Sequence, residues 1–183
     1  MGIKIINNEI RKKSDSISIR VDQRNFNFLE EVKQNTGKNN STIINEMLSE
    51  YVNWKEIAKN SEFISLPKSL LIRTLEFLPD KKILDIAHDH VDSGEGDDIM
   101  YTALKEHTAE EMANLLQNWA KSNNINSKIN ISKNEYILTF YLKMEEKWTL
   151  LLSEVFRYAF EKYFNKITTT KNSKNNFILN IKM

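Results

Sequence analysis

The 183-residue chain is 40% apolar and 28% charged, an ordinary balance for a globular protein with room for a small module and a second domain. It has no cysteine, which excludes disulfides, thiolate metal sites and cysteine nucleophiles, and its four glycines and two prolines leave no glycine-rich phosphate loop. The formal net charge of +1 is spread as +2 over residues 1–60, −6 over 61–110 and +5 over 111–183, so any attraction to nucleic acid has to be local.

Residues 1–13 end in Arg11-Lys12-Lys13 and read as a basic flexible arm; Met1 to Asn8 is too short and too polar for a signal peptide. From Ser16 to Val21 polar and apolar residues alternate strictly, the period of a strand with one buried face. Ile17, Ile19 and Val21 share that face, and Ser16, Ser18 and Arg20 share the other. Asp22 suits the N-cap of a helix over 23–35, in which Phe26, Leu29 and Val32 recur at helical spacing. Gly37, within Thr36-Gly37-Lys38, suits the left-handed position that ends a helix. Asn39, Asn40 and Ser41 offer caps for a second helix, with Ile43, Ile44, Met47, Leu48, Tyr51 and Val52 as its stripe, running to about Ala58.

Residues 59–66 read as a junction, and 66–183 as a second domain. Pro67 favours a helix start, with Leu70, Leu71, Leu75 and Leu78 on its apolar side; Pro79 opens a short helix to about His88. The acidic stretch Asp89–Asp98 reads as a loop, followed by a helical piece near 98–106. Thr108-Ala109-Glu110-Glu111 matches a capping box, opening a helix with Met112, Leu115, Leu116 and Trp119 inward. Lys128–Ser132 and Tyr136–Lys143 alternate as two strands of a hairpin around Lys133-Asn134. A long helix follows over Glu145–Phe164, with Trp148, Leu151, Leu152, Val155, Ala159, Phe160 and Tyr163 on one face, a stripe expected to be core or dimer contact. Ile167–Thr170 and Asn176–Lys182 are strand-prone. The fold class is therefore α+β: one strand and two helices, then an α+β domain with a small antiparallel sheet and several helices.

The order strand, helix, glycine turn, capped helix over residues 14–58 resembles the ribbon-helix-helix (MetJ/Arc/CopG) superfamily. The residues that carry the resemblance are Ile17, Ile19, Arg20, Val21, Asp22, Leu29, Val32, Gly37, Ser41, Ile44 and Leu48. It covers about a quarter of the chain. It implies a homodimer whose paired strands enter the major groove of double-stranded DNA, with Ser16, Ser18 and Arg20 reading bases. It also implies that the start of the second helix, with Lys38, Asn39, Asn40 and Ser41, holds the phosphate backbone. Physics points the same way: so few residues cannot bury both apolar faces alone. A shared dimer core of Ile17, Ile19, Val21, Leu29, Val32, Ile44 and Leu48 would make pairing part of folding. Arg20 suits a bidentate contact to guanine, and Arg11, Lys12 and Lys13 suit phosphate.

A helix-turn-helix would use two helices around Gly37 and read bases from the Ile43 side. An antitoxin would usually carry a short toxin-wrapping tail, unlike the strongly patterned second half here. The cluster His88, Asp89, His90, Asp92, Glu95, Asp97, Asp98 and His107 holds types that ligate divalent ions. Its spacing matches no defined loop motif, so no metal and no cofactor is expected, with His88, His90 and His107 as the residual candidates. No elbow motif, P-loop or paired-carboxylate frame is present, so no enzymatic activity is expected. With no apolar run near the ~20 residues of a membrane span, the expectation is a cytoplasmic transcriptional regulator. Its second domain would serve effector sensing, partner binding or higher oligomerisation.

Overall fold

A computed structural model describes residues 15–61, 63–94, 96–132 and 134–183, with the backbone alone at Asp98 and Thr102. The basic arm 1–13 and Lys133 of the predicted hairpin turn lie outside the described residues. The chain divides into two compact units between Asn45 and Glu46, whereas patterning alone extends the first module to residue 58.

In the first unit, residues 15–22 run without a ladder partner among the described residues, and α1 spans Gln23–Thr36. α2 spans Asn40–Glu50. The second unit takes in the end of α2 from Glu46, then a π-helical turn, Tyr51–Lys55, in which Glu56 N–H reaches back to Tyr51 O, and α3, Glu56–Asn60. π-Turns of this kind are uncommon and recur at functional positions.

In the second unit, α4 is Lys68–Glu76 and α5 is Asp80–Asp92, with Pro67 and Pro79 at their N-caps. A proline there has no N–H to lose to the helix. α5 runs four residues past the predicted end, because Ile83, Ala87 and Val91 form one buried stripe that holds His88, Asp89, His90 and Asp92 helical. The acidic stretch is therefore half helix, and α6 resumes at Asp97–Ala103. α7 spans Ala109–Ser122 and buries Met112, Ala113, Leu115, Leu116 and Ala120. Thr108 Oγ1 caps it by accepting from Glu111 N–H at 3.2 Å, but the Glu111 carboxylate accepts from Glu106 N–H instead of closing the reciprocal box.

The sheet is antiparallel in the order β1-β2-β4-β3, with β1 Asn126–Ile131, β2 Glu135–Tyr141, β3 Thr168–Asn172 and β4 Asn176–Lys182. α8, Glu146–Phe164, joins β2 to β3 and ends at Asn165 in the left-handed region, φ +50°. Alternation puts Tyr136, Leu138 and Phe140 opposite Ile181, Leu179 and Phe177, all on the buried face. Phe140 stacks on Phe177 at 4.9 Å between centroids, and Phe156 of α8 packs on both. The central strands thus make one wall of the core and α7 and α8 the other. Thr149 and Ser153, the buried polar residues of α8, are satisfied by Lys174 O and by the Asn172 amide, which pins α8 to the β3–β4 turn. Among the described residues no helix is long and apolar enough to cross a membrane.

Candidate functional site

The N-terminal unit is assembled by local chemistry. Asp22 starts α1: one carboxylate oxygen accepts from Asn25 N–H at 2.9 Å and the other from its amide at 2.7 Å. Gly37 ends it at φ +70°, a conformation that costs a side-chain-bearing residue, and its N–H donates to Lys33 O at 2.8 Å. Asn39 then caps α2, its Oδ1 accepting from Thr42 N–H at 2.8 Å. The Asn40 amide donates to Glu30 Oε1 at 3.2 Å and ties the start of α2 to α1. That bond, with the Lys33 ion pair at 3.1 Å behind it, holds the Glu30 carboxyl below its ordinary range.

The predicted phosphate-facing residues Lys38, Asn39, Asn40 and Ser41 therefore sit together at the start of α2. Asn39 and Asn40 spend side-chain groups on the fold, and Lys38 and Ser41 are exposed. The first-turn N–H groups of Asn40 and Ser41 have no acceptor within the helix, the usual property of a helix start. Ser16, Ser18 and Arg20 are all exposed on the segment ahead of α1. Residues 15–45 carry four basic and four acidic groups, so no net positive field arises from this unit.

The predicted core residues divide sharply. Within 15–45 only Leu29 and Ile43 are buried; Val21, Val32 and Ile44 are half-buried. Ile17 is 77% exposed, Ile19 57% and Leu48 50%, and Phe26 and Phe28 are also exposed. The α2 stripe holds both Ile43 and Ile44; Ile43 is the one that α2 buries, and Ile44, named for the dimer core, is half-buried.

In the second unit the three histidines go separate ways. His88 Nε2 lies 2.6 Å from Glu154 Oε1 on α8. Arg157 binds the same carboxylate through two nitrogens, at 2.6 and 2.8 Å, and reaches Glu161 at 2.5 Å. The Arg157 hydrogen bonds are the main cause of a Glu154 carboxyl held below the usual range, against the opposing effect of burial. His107, at φ +49°, packs on Tyr101. His90 lines an apolar cavity between α5 and α8. Among the described residues no three His, Asp or Glu side chains converge as metal ligands.

The aromatic stripe of α8 splits. Ala159 and Phe160 are buried, as is Phe156 beside them, and Ala159 and Phe156 also line the cavity that the rest of the stripe borders. Trp148, Leu151, Leu152, Val155 and Tyr163 border this apolar cavity of about 460 Å³, whose other walls come from the π-turn, α5, α6 and α7. The stripe was legible in the sequence, but a cavity is a property of how helices from distant positions fail to close on one another, and no periodicity reports it. No protein-family model and no curated protein matches this chain.

Proposed function

We propose that the protein is a dimeric, cytoplasmic DNA-binding transcriptional regulator, in which residues 16–21 of two chains pair as a ribbon in the major groove. Ser16, Ser18 and Arg20 face base edges, and the starts of the two α2 helices, with Lys38, Asn39, Asn40 and Ser41, face phosphates. The observation that carries this reading is the exposed apolar set of the first unit. Residues 15–45 bury only Leu29 and Ile43 and leave Ile17, Ile19, Phe26 and Phe28 in water. Exposure of that density in so small a unit fits a shared core with a second copy. Pairing through Ile17, Ile19 and Val21 turns Ser16, Ser18 and Arg20 to the opposite face by strand alternation. Base reading from the Ile43 side, as a helix-turn-helix would need, has little support, because Ile43 is 2% exposed. An antitoxin tail has little support either, since residues 46–183 have a core of their own.

The test is selection of fragments from random DNA by wild type and Arg20→Ala at two salt concentrations. Sequence selection by wild type, lost in a still-dimeric Arg20→Ala, is the expected result. Absence of DNA binding by wild type at low salt would leave the first unit as a dimerisation device only.

A further inference from the structure

The cavity in the second unit has properties that a simple packing defect does not combine. Its volume, about 460 Å³, is in the range of small-molecule sites. All three tryptophans of the chain, Trp54, Trp119 and Trp148, border it, joined by Phe63, Phe156 and Tyr163. Trp54 sits in the π-turn, where Phe63 meets it edge-on at 5.3 Å. No Lys, Arg, Asp or Glu is among the described lining residues. The Tyr163 hydroxyl is already committed, donating to Val91 O at 3.2 Å, and burial first, then the neighbouring Asp97, raises its pKa far above that of a free phenol. The indole Nε1 of Trp148 is different: it has no hydrogen-bond partner among the described residues, and with no surface open to the cavity as the ring stands it meets a ligand only if the ring turns. An unmade bond at a buried donor is a cost that a folded chain rarely carries without use.

We propose that this cavity is a binding site for an uncharged, apolar ring-bearing small molecule with a single hydrogen-bond acceptor, and that the Trp148 ring turns on binding so that its Nε1 donates to that acceptor. Aromatic walls supply the binding surface, and a described lining without Lys, Arg, Asp or Glu, in which His90 is the one imidazole, selects against ionised ligands, whose desolvation is costly. The Trp148 donor, on a wall that His90 also lines, orients the ligand and discriminates between molecules of equal shape. This assignment is independent of whether the first unit binds DNA.

The test uses the full chain and a matched pair of probes, 2-acetylnaphthalene and 2-ethylnaphthalene, which differ in the carbonyl oxygen. Saturable one-site quenching of tryptophan fluorescence by both is expected in the wild type, with the acetyl compound about five-fold tighter, the worth of one net hydrogen bond. Equilibrium dialysis then compares variants. Trp148→Phe keeps the apolar wall and should bring the pair to parity. Leu152→Trp fills the cavity from a partly buried wall position and should abolish binding of both. If Leu152→Trp does not fold by circular dichroism, the Trp148→Phe comparison decides alone. No one-site binding by the wild type would overturn the proposal. So would a preference that survives in Trp148→Phe, or a crystal structure with residues 1–14 or a second copy seated in the cavity.

Discussion

Replacing Ile19 by serine tests whether the first unit is completed by a second copy. Fully burying an isoleucine side chain stabilises by about 1.5–3 kcal/mol. Ile19 is 57% exposed in the single chain, so pairing has about 0.9–1.7 kcal/mol left to gain there per protomer. A two-fold dimer counts the residue twice, which makes the loss in Ile19→Ser about 1.7–3.4 kcal/mol per dimer. That corresponds to a dimer dissociation constant raised about 20- to 300-fold. Sedimentation equilibrium across a concentration series measures it directly, with Ser18→Ala, on the opposite face of the same segment, as the control that should leave the constant alone. Equal constants for wild type and Ile19→Ser, or a larger effect from Ser18→Ala, would refute the pairing of this face.

Lys38→Ala should weaken DNA binding on all sequences alike. It should also shallow the slope of log K against log salt by about 1.8, one phosphate contact from each protomer; an unchanged slope would place Lys38 away from the backbone. Glu154→Gln should lower stability by about 1–3 kcal/mol in a chemical denaturation series, because Arg157 and His88 lose a mostly buried acceptor. The Glu154 carboxyl is depressed in the folded state, so its contribution is present above the ordinary carboxyl value of 4.5 and fades as pH falls below it through the folded value. The wild-type and Glu154→Gln stability curves should therefore converge towards acid. Thr108→Ala should cost about 1 kcal/mol by thermal denaturation through loss of the α7 cap. Phe177→Ala, at the centre of the sheet's buried face, should cost about 3–5 kcal/mol in chemical denaturation.

Most element positions were legible locally, since strand alternation, helical stripes and caps act over a few residues. Asp22, Gly37, Asn39 and Thr108 each do in the structure what their residue type and spacing predict, because a cap bond is made within one turn of chain. The hairpin, α8 and the two final strands follow from periods of two and 3.6 for the same reason. The end of α5 did not follow, because acidic composition speaks for a loop while the burial of Val91 under the rest of the second unit keeps the last turn helical. The ladder order β1-β2-β4-β3 and the meeting of His88 with Glu154, 66 residues apart, likewise depend on long-range packing that no local pattern encodes. So does the space between the tryptophans. Trp119 and Trp148 read as ordinary apolar helix positions and Trp54 belongs to no stripe, and only the arrangement of the π-turn, α5, α6, α7 and α8 around a volume they do not fill turns all three into walls of a cavity.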